Sequence, residues 1–261
     1  MNSKILEKTM SPFQIAIISI FPEMFQTIIN YGITRKAIKK NIININILNP
    51  RDYVKNKYRN IDDRPYGGGF GMLMKAEPLK LAIEHAKSII KSSAKVLYLS
   101  PKGSKLNQKK ISVLSKKKRI ILLCGRYQGI DERLIHSKII DEEISIGDYI
   151  LSGGELPAMI LIDMLCRLLP GALGKNRLKS YDSFHNGLLE CPHYTRPKVF
   201  QNISVPNILL SGNHKAIKTW RLKQSLGQTW QKRPDLLKKI VLTQEKIDLL
   251  EQFKKDILQV K

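Results

Sequence analysis

The stretch Arg119-Ile120-Ile121-Leu122-Leu123-Cys124-Gly125-Arg126-Tyr127-Gln128-Gly129 is a short aliphatic run that stops at glycine. A run of this length without polar alternation fits a strand buried on both faces. The glycine behind it permits a tight turn or a close backbone approach to a bound group. The same pattern recurs on either side. Residues 94–99 lead into Ser100-Pro101-Lys102-Gly103, and 144–151 lead into Ser152-Gly153-Gly154-Glu155. Further strands are predicted over 13–20 and 42–48, with helices over 23–40, 76–91 and 155–169. Strands alternating with helices predict an α/β domain with a mostly parallel sheet. Ligands of such sheets bind beyond the carboxyl ends of the strands. Each loop alone is satisfied by ordinary turn chemistry, but three glycine loops after strands predict one ligand site.

The helix over 155–169 is apolar on nearly every side, which requires burial in a thick core or in a subunit interface. Beyond Gly171 the character changes to small and basic residues, so 173–181 is expected to be a flexible linker. Residues 182–261 carry few strand signals and two amphipathic stretches, 214–226 and 243–258, and are expected to form a small helical domain. The first domain then spans 13–172, with 1–12 a dispensable extension.

The chain is strongly basic, with a formal net charge of +23, which favours a polyanionic partner. Lys-, Ile- and Asn-rich stretches such as 42–47 and 116–118 account for part of that excess. Cys124, Cys166 and Cys191 are odd in number and include no C-x-x-C pair, which fits a reducing cytoplasm. No apolar run approaches the roughly 20 residues needed to span a bilayer.

Neither G-x-G-x-x-G nor G-x-x-x-x-G-K-[ST] occurs, which argues against a dinucleotide or triphosphate cradle. The zinc deaminase pattern is absent as well. Asp62-Asp63 and Asp141-Glu142-Glu143 could in principle ligate Mg²⁺. Neighbouring residues on a strand point to opposite faces, however, so solvated carboxylates are the preferred reading.

Several strings together carry a resemblance. They are Phe21-Pro22-Glu23-Met24-Phe25, Asp62-Asp63-Arg64-Pro65-Tyr66-Gly67-Gly68-Gly69, Cys124-Gly125-Arg126-Tyr127, Ser145-Ile146-Gly147-Asp148-Tyr149, Leu151-Ser152-Gly153-Gly154-Glu155-Leu156-Pro157-Ala158 and Cys191-Pro192-His193-Tyr194-Thr195-Arg196-Pro197. In order and spacing the chain resembles the bacterial tRNA (guanine-N1)-methyltransferase family from Phe13 onward. The resemblance implies the SPOUT superfamily: an α/β domain containing a deep trefoil knot, a rare exception to unthreaded connections. It also implies a homodimer with the active site between subunits, S-adenosylmethionine as methyl donor, and N1 of guanosine 37 of tRNA as acceptor.

By the same resemblance the donor pocket comprises Tyr98, Leu99, Ser100, Pro101, Gly125, Ile146, Gly147, Asp148, Tyr149, Ile150, Leu151, Gly153, Gly154 and Pro157. The aliphatic members could equally be plain core. Asp182 matches the family's general base and Arg167 an arginine that assists at the guanine. An aspartate, with a pKa of about 3.9 in model peptides, is too weak to deprotonate guanine outright, so proton loss accompanies methyl transfer. An arginine can stabilise the charge that gathers on the guanine carbonyl oxygen. Alternatively, Asp182 caps a helix and Arg167 snorkels from a buried one.

RNA contacts are expected from His185, Arg196, His214, Lys215, Lys218, Arg221 and Lys223, with Arg167 beside them and Trp220 stacking or, by preference, packing. Two positions depart from the family: Phe70 stands where proline is usual, and Gln128 where glutamate is usual. The second leaves the role of Mg²⁺ open. It also keeps alive a basic RNA-binding protein without catalysis. A second alternative, a SPOUT enzyme acting on a ribose hydroxyl or another base, is disfavoured by the strings around Asp182 and Cys191.

Overall fold

The computed structural model describes residues 11–55, 57–91, 93–173, 182–184 and 186–260. The chain divides into two compact units, up to residue 176 and from residue 177. In the first, the elements are β1 (Phe13–Ile18), α1 (Gln26–Asn30), α2 (Gly32–Lys39), β2 (Ile43–Leu48), the short β3 (Asp62–Asp63) and β4 (Leu73–Met74), α3 (Ala76–Ile90), β5 (Lys95–Lys105), α4 (Gln108–Leu114), β6 (Arg119–Cys124), α5 (Arg133–His136), β7 (Glu142–Ser145) and α6 (Glu155–Leu168).

The main sheet has five strands in the order β2-β1-β6-β5-β7. Every pairing within it is parallel. Parallel strands covered on both faces need apolar side chains in both directions, and the alternation along β1 and β6 shows how they are used. Ile15, Ile17, Ile120 and Leu122 pack with Ile111 of α4 and with Ala158, Leu161 and Leu165 of α6. Ala16, Ile18, Ile121 and Leu123 pack with Leu79, Ala82, Ile83 and Ala86 of α3.

Three expectations from the sequence are corrected. The helix expected over 23–40 is a 3₁₀ turn, Pro22–Phe25, followed by α1 and α2. Tyr31 is extended between them (φ −130°, ψ 165°) and Gly32 is left-handed at φ +65°, a break that a regular helix cannot absorb. The strand expected over 144–151 is Glu142–Ser145, and its apolar continuation is loop. The strand expected to end at Leu99 continues to Lys105, with a register shift against β7 between Leu99 and Ser104. A Cβ at Gly103 would lie 2.4 Å from the Glu143 carbonyl carbon, so only glycine lets β5 and β7 approach this closely.

Within the single chain α6 buries one face. Pro157, Ala158, Leu161, Ile162, Leu165 and Cys166 face the core, while Leu156 and Ile160 are 50% and 43% exposed. The linker expected over 173–181 lies, apart from Leu173, outside the described residues, as does His185.

The second unit holds β8 (Val199–Phe200), β9 (Ile203–Ser204), α7 (Asn207–Leu210), α8 (His214–Lys232), α9 (Pro234–Leu237) and α10 (Gln244–Val260). Leu226 of α8 packs with Leu249 and Leu250 of α10 and with Leu188. Glycine inside a helix costs about 1 kcal/mol relative to alanine. Gly227 is nonetheless required, because a Cβ there would lie 2.3 Å from the Phe253 ring. No helix among the described residues is long and apolar enough to cross a membrane.

Candidate active site

Three segments converge at the carboxyl end of the sheet: 98–101 of β5, 125–129 after β6, and 144–154 through the end of β7, closed beneath by Pro157 of α6. Together they line one cleft. All the residues expected at the donor pocket lie around it except Asp148, which forms an ion pair with Lys105 instead. The cleft also takes in Arg126, Tyr127, Gln128, Gly129, Ile144, Ser145 and Ser152, which the expected set omitted.

The joints between these segments are backbone contacts. Gly154 N–H donates to the Gly125 carbonyl at 2.9 Å, and Gly153 bridges to Arg126. A Cβ on Gly154 would lie 2.7 Å from Cys124 Cα, so α6 can start against the end of β6 only without a side chain. Gly147, at φ +152°, lets the Tyr149 ring fold back: a Cβ there would lie 2.4 Å from Tyr149 Cε1.

An ion pair locks the arrangement. Glu155, fully buried in the first turn of α6, accepts from Arg126 Nε at 2.9 Å and from Ser19 Oγ at 2.7 Å. Arg126 also donates to the Ser152 carbonyl at 3.1 Å, and its guanidinium carbon lies 4.6 Å from the centroid of the Phe21 ring. The ends of β1 and β6, the loop after β7 and the start of α6 thus meet at one charge pair. The sequence signal for it was an acid in the first turn of an apolar helix, where the helix dipole favours negative charge.

Burial, with Glu143 and then Glu132 nearby, pushes the Tyr98 phenol up to about 12. It therefore stays protonated at the cleft wall at neutral pH. Burial likewise raises the Cys124 thiol well above its usual value and the Cys166 thiol to about 11, which makes both poor nucleophiles. The acidic run diverges: Asp141 accepts from Val96 N–H at 2.7 Å, Glu142 pairs with Lys95 and Lys110, and Glu143 turns toward Tyr98's face of the sheet. No group of three or more His, Cys, Asp or Glu suited to a metal occurs among the described residues. Gln128 packs its side chain over Gly71, whose Cβ would lie 2.6 Å from Gln128 Cγ.

Arg167 is exposed in the last turn of α6. Asp182 belongs to the second unit, and among the described residues no helix starts directly behind it. The chain turns, with Phe184 N–H donating to the Leu188 carbonyl at 2.7 Å and Glu190 N–H to Ser183 Oγ at 3.0 Å. Leu189 N–H donates to Thr229 Oγ1 at 2.9 Å, which fastens this turn to α8. The helix-cap alternative for Asp182 is therefore set aside.

Of the basic residues expected at RNA, Arg196, His214, Lys215, Lys218 and Arg221 are exposed. Lys223 is half-buried and paired with Asp256 at 2.7 Å. Trp220 is half-buried, not core, with its ring centroid 6.4 Å from that of Tyr194.

Comparison with known proteins matches residues 13–239 to the family model described as tRNA (Guanine-1)-methyltransferase TrmD. A tRNA (guanine-N(1)-)-methyltransferase of Buchnera aphidicola subsp. Baizongia pistaciae is 65% identical over 238 residues, covering 91% of this chain and 95% of the relative. Proteins of the same name from Buchnera aphidicola subsp. Schizaphis graminum and Edwardsiella ictaluri are 60% and 56% identical, covering 92% and 93% of this chain and 90% and 95% of theirs.

Proposed function

The chain belongs to the tRNA (guanine-1)-methyltransferase family, and we propose that it transfers a methyl group from S-adenosylmethionine to N1 of guanosine 37 in tRNA. The observation that carries this reading is the single cleft formed after β5, β6 and β7, on a strongly basic chain matched to the family over residues 13–239.

The residues present fit the donor. Leu99, Ile144, Ile146 and Leu151 offer aliphatic walls for a flat ring, and glycine-rich backbone exposes amides and carbonyls to its polar edge. When bound, the donor supplies a methyl carbon made electrophilic by its sulfonium. Asp182 accepts the N1 proton as the new C–N bond forms, which suits a weak base acting within the transition state. Arg167 donates to the guanine carbonyl oxygen as negative charge gathers there.

In this reading the loop after β7 threads as the trefoil knot. Its ties to Gly125 and Arg126, together with β7 returning beside β5, support that path. A second copy of the chain covers the apolar surface at Ile150, Leu156 and Ile160, which are 82%, 50% and 43% exposed, and completes the site as a homodimer. The linker over 173–181 joins the donor domain, 13–172, to the tRNA-holding helices of 182–261, where Arg196, His214, Lys215, Lys218 and Arg221 meet phosphate. The enzyme works in the cytoplasm, where its tRNA substrate is.

The test is methyl transfer from labelled donor to transcripts carrying guanosine or adenosine at position 37, with wild type and Asp182→Asn. Expected is 1-methylguanosine on the guanosine transcript alone, with the rate in the variant lower by roughly 10²- to 10⁴-fold. Binding of donor and tRNA without transfer by wild type would overturn catalysis in favour of an RNA-binding protein.

A further inference from the structure

The donor cleft presents a charge problem. Arg126 is the one charged side chain lining it among the described residues, Glu155 neutralises that charge, and the chain as a whole stands at +23. The donor is itself cationic at sulfur. A long-range positive field opposes it unless negative charge is placed close by.

Such a charge stands one strand away. β5 and β7 place Glu143 directly opposite Tyr98, on the same face of the sheet, and Tyr98 forms a wall of the cleft. Glu143 Oε1 is buried and has no hydrogen-bond partner among the described residues. An unsatisfied buried carboxylate oxygen is costly, and its persistence in a folded protein calls for a reason. Glu143 and Glu132 both raise the Tyr98 phenol, so their fields reach the cleft wall. Glu132 is half exposed and sits 3.8 Å from Lys102, which leaves Glu143 as the less screened of the two.

We infer that Glu143 is a specificity-determining residue that favours the sulfonium donor over the neutral thioether product. The inference rests on the methyl-transfer reading above. In that reaction the methyl carbon–sulfur bond breaks with its electron pair left on sulfur, the methyl joins guanine N1, and the N1 proton passes to Asp182. The small ligand thereby loses one positive charge in place. A fixed carboxylate nearby stabilises it before transfer and ceases to do so afterwards, which speeds exchange of product for fresh donor.

Calorimetric titration of the full chain with S-adenosylmethionine and with S-adenosylhomocysteine tests this. In Glu143→Gln, donor affinity is expected to fall roughly three- to tenfold while product affinity changes less than twofold. Glu143→Asp, which keeps the charge, should hold the wild-type ratio, and Glu132→Gln should shift it less than Glu143→Gln. A donor-to-product ratio unchanged in Glu143→Gln, or equal loss of both ligands, overturns the inference. A measurement on wild type alone guards against misfolding of the variants: an aza analogue carrying a titratable amine at the sulfur position should bind more tightly charged than neutral. Equal binding of its two forms would also overturn the inference. Failure of wild type to bind either natural ligand would instead sink the donor reading itself.

Discussion

Arg126 Nε lies 2.9 Å from Oε2 of Glu155, a carboxylate wholly removed from solvent, and this pair joins the loop after β6 to the first turn of α6. Glu155→Ala would leave Arg126 partly buried without its counter-ion and Ser19 without its acceptor. Removing one partner of a buried pair costs about 3–5 kcal/mol. The unfolding free energy from urea titration should fall by that amount, and a change below about 1 kcal/mol would mean that Arg126 finds another partner.

Gly154→Ala tests the close approach beneath the cleft. The added Cβ would meet Cys124 Cα at 2.7 Å, and its nearest neighbours are all backbone atoms, with no flexible side chain to give way. Overpacking of this kind costs about 1–3 kcal/mol. Donor affinity should fall with stability, since the displaced segments are the cleft's own walls. Wild-type donor binding in a folded Gly154→Ala protein would show that these loops relax freely.

The salt dependence of tRNA binding should separate two lysines on the same helix. Lys218 is exposed with no ion pair among the described contacts, whereas Lys223 is held by Asp256. Lys218→Ala is expected to reduce the slope of log affinity against log salt by about 1, and Lys223→Ala by clearly less. A slope left at the wild-type value in Lys218→Ala would remove Lys218 from the phosphate contacts.

Glu142 links stability to pH. Burial alone would raise its carboxyl, but Lys110 and Lys95 outweigh that and hold it below its usual 4.5. A depressed folded value means that the unfolded state takes up protons first as pH falls. The stabilisation is therefore complete above the unfolded value and is lost as pH drops below about 4.5 through the folded one. Glu142→Gln should be less stable than wild type at neutral pH, with the gap closing in acid. A gap constant from pH 7 to pH 3 would assign the difference to something other than the ion pairs.

Some elements could be read locally and others could not. Residues 119–124 were legible as a strand because an aliphatic run stopped by glycine has few other uses. The segment 146–151 misled because Ile146, Ile150 and Leu151 look like a strand, yet Gly147 is left-handed and Ile150 is 82% exposed. Its apolar residues serve the cleft and the outer surface, not the sheet. The helix over 23–40 misled in the opposite way, since its spacing is helical on both sides of a break made by extended Tyr31 and left-handed Gly32.

By itself the amino-acid order determined the alternation of strands and helices, the placing of glycine behind the strands, the basic charge and the strings that mark the family. These are properties of neighbours along the chain, and they survive without coordinates. Only the tertiary structure decided that Ser19, Arg126 and Glu155 share one buried charge site, that Asp148 turns to Lys105, that Lys223 is occupied by Asp256, and that Glu143 stands opposite Tyr98. Those partners are separated by many residues, and strand register and helix packing bring them together. A charge's meaning depends on what lies a few ångströms from it, and that distance is set by the fold.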